Sequence, residues 1–470
     1  MNQPEVSRRD WLKTAALAGG FAAFAGPRAS AQSPAAAGKK VRGVIFMVSD
    51  GMSPGVLTLG EAWSQLTRKT STRWWSLMND RAASRGLMDT ASANSLVTDS
   101  AAASSSWGGG ERVNNGAINV RPDGKPLVPL ARALGKKGVR IGLVSTATIT
   151  HATPAGFAAV CTERGNEEEI ATQYLKTVDV LLGGGSGYFS GAERPDKRDL
   201  SGEFTAAGYD VVGSRDAMLA AKSPKLLGTF SKGHIPYSLD RNASAELTAS
   251  VPTLNEMATA ALTRFLSGDQ PFLLQIEGAR IDHAAHRNDI GALLADQLAF
   301  DDTLANVMTL IAKRDDILLV VTSDHGNANP GLNGTGGGYK KTNPLFQSIP
   351  KQKASYEAMF VAWEALGKKD DKAALSDLVT SRLGFTLKPA EADALLESFS
   401  KKPIIEWSEQ LAKPEGLLGQ FQGNHTGIGW TGTSHTSDPT LVSAFGPQSD
   451  RFTGMVRNSD VYGHIMEMLG

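Results

Sequence analysis

The sequence predicts an α/β fold, with a large, mostly parallel central sheet and helices on both faces. Short apolar runs of strand length alternate with longer stretches whose apolar residues recur three and four positions apart. Such alternation is typical of a parallel sheet buried between helices. The formal net charge of the 470 residues is +0, with Lys+Arg 48 against Asp+Glu 48, which argues against a strongly basic nucleic-acid binder.

Six apolar runs are the predicted strands, at 44–48, 141–144, 178–182, 272–276, 317–321 and 441–445. Helical periodicity marks residues 255–266 and 292–312, and a short C-terminal helix is predicted at 461–469. A chain of this length could hold two or three average domains, but large α/β enzymes often build one domain around one sheet with insertions. We therefore expect a single domain over residues 32–470.

The segment from about 326 to 422 differs in composition from the rest of this domain. It opens with a Gly-rich stretch at 331–338 and continues with Lys-rich amphipathic stretches around 356–366 and 390–411. Because it interrupts the alternation ahead of the last strand, we interpret it as an insertion that caps the sheet.

The N-terminus has the order of a twin-arginine signal peptide over residues 1–31. Arg8 and Arg9 precede an uncharged apolar run at 14–27, and Ala29-Ser30-Ala31 supplies a cleavage site. The alternative is a short N-terminal helix with two chance arginines. The apolar run is too short to span a bilayer, and no later run reaches the roughly 18 to 20 apolar residues that a span needs. We expect export to the periplasm or the medium, with a mature chain from near Gln32 and a tether at 32–40.

Metal-binding residue types follow three of the predicted strands. Ser49 and Asp50 follow the first run, Glu277 follows the fourth, and residues 322–325 follow the fifth. Ligands of α/β sheets gather at the carboxyl ends of the strands. A single aspartate there is usually a turn or helix cap, but several carboxylates at one edge repel each other unless a cation neutralises them. The only cysteine is Cys161, so a disulfide within the chain and a multi-cysteine metal cluster are excluded.

The spacing of histidines and carboxylates favours more than one metal ion. Asp282 and His286 are four residues apart, which places them on one face of a helix, although a surface Asp and His would also give this pair. Asp324 and His325 offer a second carboxylate and imidazole. Mixed Asp/His ligation suits Zn²⁺, whereas an oxygen-only set such as Asp50, Glu277 and a hydroxyl suits Mg²⁺.

Ser100 is the candidate nucleophile. The small residues after it favour a helix start, where free N–H groups and the helix dipole attract an anion or a developing alkoxide. The alternative is an ordinary N-cap formed by Asp99 or Ser100. A serine hydrolase of the acyl type is disfavoured because the sequence has no G-x-S-x-G elbow. Metal would therefore have to activate this serine.

Six motifs occur together in this chain, in the order Asp50-Gly51-Met52; Thr98-Asp99-Ser100-Ala101-Ala102; His151-Ala152-Thr153-Pro154-Ala155; Glu277-Gly278 through His286; Thr322-Ser323-Asp324-His325-Gly326; and Ser434-His435-Thr436 ahead of Ala444-Phe445-Gly446-Pro447. With these motifs in the family's order, the sequence resembles the alkaline phosphatases over nearly the whole mature chain. The resemblance implies an alkaline-phosphatase-like sheet with a cap, or crown, insertion. It also implies an exported enzyme that hydrolyses phosphate monoesters.

The resemblance implies a role for each matching residue. Ser100 would be the nucleophile that forms a phosphoserine, and Arg164 would grip two phosphate oxygens. Three ion sites are implied, with ligands Asp282, His286 and His435 for one Zn²⁺; Asp50, Asp324 and His325 for a second Zn²⁺; and Asp50, Thr153 and Glu277 for a third ion, usually Mg²⁺. The first Zn²⁺ would activate water and stabilise the leaving oxygen, and the second would lower the pKa of the serine.

The chain departs from the family pattern at several positions. Ser104 and Ser105 replace the Gly or Ala and the Thr that usually follow the nucleophile. His151 and His283 stand at two variable positions that tune the third ion and the phosphate environment, so the identity of that ion stays open. His425 is a rival to His435 as a ligand, and His435 is preferred because an apolar strand ending in Gly-Pro follows it.

Alternative functions stay open at this point. A phosphodiesterase with the same metal core is one, and a non-catalytic phosphate or metal binder is another. Arg164 favours the dianionic end of a monoester, and a sulfatase is disfavoured because Cys161 lacks the Cys-x-Pro-x-Arg context. We expect small phosphate monoesters as substrates, a broad specificity, and a monomer or homodimer; the natural substrate is not indicated by the sequence.

Overall fold

The computed structural model describes residues 40–368, 370–399 and 407–470. Its central sheet contains ten strands: β1 Gly43–Ser49, β2 Ala83–Asp89, β3 Arg140–Thr148, β4 Val180–Gly184, β5 Asp210–Val212, β6 Leu226–Thr229, β7 Phe272–Gly278, β8 Ile317–Thr322, β13 Thr440–Phe445 and β14 Gly454–Arg457. Four two-residue strands form two small ladders outside this sheet: β9 Gly326–Asn327, β10 Gly331–Leu332, β11 Ile428–Gly429 and β12 His435–Thr436.

The strand order of the sheet is β14-β2-β13-β8-β1-β7-β3-β4-β6-β5. Neighbouring strands run parallel except for β13, which is antiparallel to both β2 and β8. This arrangement confirms the predicted large, mostly parallel sheet. Because β8, β1, β7 and β3 are adjacent and parallel, their carboxyl ends lie at one edge.

Nineteen α-helices connect or flank these strands within the described residues: α1 Pro54–Arg68, α2 Arg73–Asn79, α3 Ser100–Gly109, α4 Leu130–Gly135, α5 Ala152–Ala158, α6 Glu167–Tyr174, α7 Leu200–Ala206, α8 Arg215–Ala220, α9 Ser238–Ala243, α10 Ala245–Ser250, α11 Leu254–Leu266, α12 Arg280–His286, α13 Ile290–Leu310, α14 Thr342–Phe346, α15 Tyr356–Leu366, α16 Lys372–Leu383, α17 Pro389–Phe399, α18 Pro414–Thr426 and α19 Asp460–Leu469.

Both faces of the sheet are covered. Along β1, Ile45 and Met47 belong to one buried apolar cluster, whereas Val44, Phe46 and Val48 belong to another. Alternate residues of a strand point to opposite faces, so the two clusters are the two sides of the sheet. This is why a central strand appears in the sequence as a continuous apolar run.

All six predicted apolar runs lie in strands or overlap them, but four strands of the sheet were missed. The missed strands are β2, β5, β6 and β14. In β2, which contains Arg85 and Gly86, burial is irregular along the strand, and β5 has three residues of intermediate exposure. Strands near a sheet edge are partly solvated and need no apolar run, so their pattern is weak.

The segment predicted to cap the sheet contains helices α14 to α18 and a separate apolar cluster around Tyr356, Trp363 and Leu395. The predicted stretch at 356–366 coincides with α15. In the stretch at 390–411, the described residues 390–399 lie in α17 and the described residues 407–411 are not helical. The expected boundary near residue 422 falls inside α18. The division into one domain with a cap insertion remains a prediction.

The predicted signal peptide at 1–31 and most of the tether at 32–40 lie outside the described residues. In the part of the chain that the structure describes, no helix combines the length and apolar character required to cross a bilayer.

Candidate active site

The carboxylates predicted to meet at one sheet edge do so through β1, β7 and β8. Asp50 directly follows β1, and Asp324 lies two residues after β8. Glu277 is inside β7 rather than after it, because that strand continues to Gly278. In the register of the sheet, Glu277 lies opposite Val48 of β1 and Ser145 of β3. All three carboxylates are almost completely buried.

Gly51 allows the chain to turn at the end of β1, in close contact with the buried carboxylates. Its φ is +64°, in the left-handed region that favours glycine. A Cβ at this position would lie 2.3 Å from Asp282 Oδ1, and the Gly51 N–H donates to Asp324 Oδ1 at 3.0 Å. A larger residue here would push apart two of the carboxylates that the site brings together.

Helix α12 carries Asp282 and His286, as their spacing predicts. His286 Nε2 lies 3.3 Å from Asp282 Oδ2. The other ring nitrogen, Nδ1, donates to the Thr433 carbonyl at 2.7 Å. Because a carbonyl can only accept, this contact places a proton on Nδ1 and leaves Nε2 as the atom that can bind a metal.

A short antiparallel ladder brings His435 to the same place. β12 pairs with β9, which sets His435 opposite Asn327. His435 Nε2 lies 3.0 Å from His286 Nε2 and 3.6 Å from Asp282 Oδ1. Its Nδ1 donates to the Thr98 carbonyl at 2.8 Å. Two Nε2 atoms therefore face each other beside a carboxylate, a set of donors that can hold a metal ion.

A second group is formed by Asp50, Asp324 and His325. His325 Nε2 lies 3.0 Å from Asp324 Oδ2 and 3.7 Å from Asp50 Oδ1. The rings of His325 and His435 stack with centroids 3.6 Å apart, so the two groups adjoin. His325 can also join Asp282 and His435, since ligand atoms of these three lie within 4.8 Å of one another.

A third group combines Asp50 and Glu277 with His151, whose ligand atoms also lie within 4.8 Å of one another. Asp50 is thus shared between the second and third groups. The Thr153 hydroxyl is buried without a hydrogen-bond partner in the described residues. Ser145 donates a hydrogen bond to Glu277 Oε2.

These three groups place several carboxylates close together in the protein interior, where bound cations would neutralise their charge. Burial, with the nearby charges of Asp324, Asp282 and Glu277, raises the pKa of Asp50 well above its usual value. Burial raises the pKa of Glu277 to about 7, against the effect of the Ser145 hydrogen bond. Within the described residues, both Asp50 oxygens, Glu277 Oε1 and Asp324 Oδ2 are buried and lack hydrogen-bond partners. Such oxygens fit bound metal ions, which would supply the missing partners.

Ser100 is the first residue of α3 and is 2% exposed. Its Oγ lies 3.2 Å from His325 Nε2, in the second group of possible metal ligands. Asp99 is the N-cap of the helix and accepts from the Ala102 N–H at 2.9 Å. Capping by Asp99 leaves the Ser100 hydroxyl free to face the metal-binding side chains at the positive end of the helix.

Small residues hold α3 close to α5, the helix that carries Thr153. A Cβ on Gly108 would lie 2.0 Å from the Gly156 carbonyl oxygen. Ser104 donates to the Thr153 carbonyl at 2.6 Å, and Ser105 Oγ accepts from the Asn119 N–H at 2.8 Å. The two serines that depart from the family pattern therefore make hydrogen bonds that fix α3, the helix that begins at Ser100, in place.

Arg164 reaches the same region from a loop. Its Nη1 donates to Asp99 Oδ2 at 3.1 Å, and its Nη2 lies 3.0 Å from His151 Nε2. The backbone N–H of Arg164 donates to the Gly116 carbonyl at 2.8 Å, which anchors the loop. The guanidinium therefore lies beside the N-terminus of α3.

Sequence reasoning missed two members of the surrounding cluster. His234 packs against His283 with ring centroids 4.5 Å apart and against His151 at 5.7 Å. Arg280 is nearly buried, lies 3.7 Å from the Tyr237 ring centroid, and donates to His283 Nδ1 at 2.7 Å. No motif contains His234, whereas Arg280 lies inside the motif that runs from Glu277 to His286, two residues before Asp282.

His425, the rival of His435, lies elsewhere. It is in α18, and its ring stacks on Phe385 with centroids 4.8 Å apart. The structure thus brings every residue that the sequence singled out for the site into one region, and it leaves His425 outside.

Comparisons with known proteins agree with this geometry. A family model described as "Alkaline phosphatase" matches residues 41–470. The chain is 31% identical to alkaline phosphatase 3 of Bacillus subtilis over 380 residues, 79% of this chain and 77% of that protein. It is 28% identical to the streptomycin-6-phosphate phosphatase of Streptomyces griseus over 98% of both chains. The crystal structure of the alkaline phosphatase of Thermus thermophilus superposes with a TM-score of 0.86 at 32% identity, covering 94% of this chain and 95% of that one.

Proposed function

The chain belongs to the alkaline phosphatase family and is a phosphomonoesterase hydrolase, and on that premise we propose that it works through Ser100 at a site of two Zn²⁺ and one Mg²⁺. The observation that carries the proposal is the position of the Ser100 hydroxyl, 3.2 Å from His325 Nε2 at the start of α3. A buried hydroxyl in contact with a metal-binding group is what a metal-activated nucleophile requires.

The proposed ligands follow the three groups of the site: Asp282, His286 and His435 for one Zn²⁺; Asp50, Asp324 and His325 for the other; and Asp50, Thr153 and Glu277 for Mg²⁺. When bound, such ions favour the deprotonated serine and neutralise charge on the entering and leaving oxygens. His151 would be a further ligand of the third group for an ion that accepts nitrogen donors. Zn²⁺ is such an ion, so Zn²⁺ competes with Mg²⁺ for this group.

Ser100 loses its proton to solvent and its Oγ attacks the phosphorus, and the bond from phosphorus to the ester oxygen breaks as the Oγ–P bond forms. The ester oxygen takes a proton from water and leaves as the alcohol on the side of Asp282, His286 and His435, opposite the entering serine. A second water, which gives up a proton, then attacks the phosphorus; the Oγ–P bond breaks, Ser100 Oγ is protonated again and inorganic phosphate is released. The free N–H groups at the start of α3 stabilise negative charge near Ser100 in both steps.

Arg164 would bind two oxygens of the phosphoryl group through its planar guanidinium. To do so it exchanges its contacts with Asp99 and His151 for contacts with the substrate. A monoester has three oxygens outside the ester bond and a diester has two, so only a monoester keeps a free oxygen for the proposed metal ions while Arg164 holds the other two. We therefore propose monoesters as substrates in preference to diesters, and the preference is tested by hydrolysis of p-nitrophenyl phosphate against bis-p-nitrophenyl phosphate; equal or faster turnover of the diester would contradict it.

The matched pair Ser100→Ala and Ser106→Ala tests the nucleophile. Both serines lie buried in α3, but the Ser106 hydroxyl donates to the Ala102 carbonyl of its own helix at 2.9 Å. We expect Ser100→Ala to lower kcat by about a thousandfold or more while zinc content by elemental analysis is retained. Ser106→Ala should keep activity near that of the unaltered enzyme.

Unchanged turnover in Ser100→Ala would overturn the proposal. A protein that binds zinc and phosphate but hydrolyses no monoester, with or without the serine, would be the non-catalytic relative that the sequence also allowed.

The proposed periplasmic or extracellular location rests on the twin-arginine pattern at Arg8 and Arg9. Replacing both arginines with lysine should retain activity in the cytoplasmic fraction of the producing cell. Undiminished export of that variant would show that the pattern does not direct the protein through this route.

A further inference from the structure

A cleft of about 340 Å³ opens beside the group formed by Asp282, His286 and His435. His286 itself lines the cleft, together with Arg280 and Arg287, Glu357 of α15, and residues at the start of α18. The cleft therefore lies between the proposed metal centre and the segment expected to cap the sheet.

Most charges in this cleft are paired within the protein. Arg280 donates to Glu357 Oε2 at 2.9 Å. Arg287 lies 3.6 Å from the same Glu357 oxygen and 3.1 Å from Glu415 Oε1. Two guanidinium groups thus neutralise the two carboxylates of the cleft.

Lys413 is the exception. Its ammonium donates to the Thr433 hydroxyl at 3.2 Å, and no carboxylate of the described residues lies within ion-pair distance of it. Lys413 is also the N-cap of α18, where it makes no side-chain capping bond. An oxygen acceptor is preferred at an N-cap, and a positive charge there opposes the helix dipole. Helix stability therefore does not account for this lysine.

Thr433 links Lys413 to the proposed metal centre. Its hydroxyl accepts from Lys413, and its carbonyl accepts from His286 Nδ1 at 2.7 Å. The ammonium therefore lies close to His286, on the side of the site where the alcohol leaves.

We infer that this cleft receives the alcohol portion of the substrate and that Lys413 selects alcohols bearing a second anionic group, either a carboxylate or a further phosphate. The inference rests on the proposed function, because it takes the phosphoryl group to lie at Ser100. Since the other charges of the cleft are neutralised in pairs, Lys413 leaves a net attraction for anions. A neutral alcohol gains nothing from this attraction, and a cationic alcohol is repelled.

Four substrates of similar size test the selection. Phosphoglycolate and hydroxyethyl phosphate differ only in a carboxylate against a hydroxymethyl group, while ethylene glycol bisphosphate offers a second phosphate and phosphocholine a cation. We expect kcat/KM to be higher for the two substrates with a second anion. The ratio of kcat/KM for phosphoglycolate to that for hydroxyethyl phosphate should fall about threefold to fivefold in Lys413→Met, and increasing salt should lower it in the unaltered enzyme.

Lys136→Met is the matched control. Lys136 is an exposed lysine just before the amino end of β3, whereas the site lies at the carboxyl ends of the strands. This variant should keep the same ratio and the same activity. An unchanged ratio in Lys413→Met, or faster turnover of phosphocholine than of phosphoglycolate, would overturn the inference.

Binding to the metal-loaded Ser100→Ala variant separates the two proposals. Calorimetry should show phosphoglycolate binding more tightly than hydroxyethyl phosphate, and the difference should shrink when Lys413→Met is added. Equal affinities would overturn the role of the cleft even if hydrolysis follows the proposed function. Preferential binding without hydrolysis by the unaltered enzyme would instead overturn the proposed function and leave the cleft supported.

Discussion

The proposed metal centre and the adjoining cleft differ in the burial and the pairing of their carboxylates. Asp50, Glu277 and Asp324 are almost wholly buried, with oxygens that lack partners among the described residues. In the cleft, the side chains of Glu357 and Glu415 are 42% and 28% exposed and are paired with arginines. Buried, unpaired charges depend on an external cation, while exposed, paired ones are screened by solvent. Changes in the first region should therefore abolish function, and changes in the second should adjust it.

The largest effect is expected from Asp50→Asn, because Asp50 is shared by two of the three ligand groups. We expect kcat to fall by about a thousandfold or more, with loss of bound metal measured by elemental analysis. Asp296→Asn is the control: Asp296 is also buried, and burial raises its pKa to about 7, but its hydrogen bonds are to the Ser238 backbone and hydroxyl. Loss of metal from both variants would show that the effect is not specific to the site.

A smaller effect is expected from Arg164→Lys, which keeps the charge and removes the planar pair of donors. The kcat/KM for p-nitrophenyl phosphate should fall about fiftyfold, with weaker inhibition by inorganic phosphate. The Arg164 side chain is half-buried, so water can fill the space that the smaller lysine head group leaves. The metal content should therefore not change. Retention of full phosphate affinity would remove Arg164 from the proposed phosphate grip.

Without metal, the charge of the buried region should make stability depend on pH. Burial raises the pKa of Glu277 from 4.5 to about 7. Burial lowers the pKa of His286, but the charge and hydrogen bond of Asp282 together with the Thr433 carbonyl outweigh it and raise this pKa from 6.5 to about 9. Both groups bind protons more tightly in the folded state, so their stabilisation is lost as pH rises through these values. His435, whose pKa burial lowers to about 4, loses stability only below its unfolded value of 6.5.

The chelator-treated protein should therefore unfold at lower urea concentration at pH 9 than at pH 6.5. Bound cations replace these protons, so the metal-loaded protein should lose less stability over the same range; Asp296, which binds no metal in the proposal, contributes equally in both forms. Equal slopes in both forms would show that the buried groups are not the origin of the pH dependence.

The smallest effect is expected from Glu415→Gln, which frees Arg287 from its 3.1 Å ion pair. The preference for phosphoglycolate over hydroxyethyl phosphate should increase by about twofold, as is usual for an exposed charge pair. Activity on the neutral substrate measures any indirect effect through α18. A decrease in the preference would contradict the electrostatic account, because removing a carboxylate can only raise the attraction of the cleft for anions.

Several features could be predicted because they depend on local pattern. Residues 44–48 and 317–321 had to be buried strands, and a carboxylate follows each of them in the sequence. The distance of four residues between Asp282 and His286 fixed a shared helix face. Strands such as β2 and β14 were missed because they lie near a sheet edge and carry no continuous apolar run.

The sequence by itself determined six strands of the sheet, the strand ends that carry Asp50 and Asp324, and the helix start at Ser100, because apolar periodicity and capping act over a few residues. The sequence already favoured His435 over His425, and the tertiary structure brings His435 to the site. Only the tertiary structure decided that His234, Arg280 and Lys413 lie around it. These contacts join segments far apart in the chain, through the β9–β12 ladder and the ion pair between Arg287, the residue after α12, and Glu415 of α18. A local pattern cannot encode such pairings, since they form only when the whole sheet and its covering helices are in place.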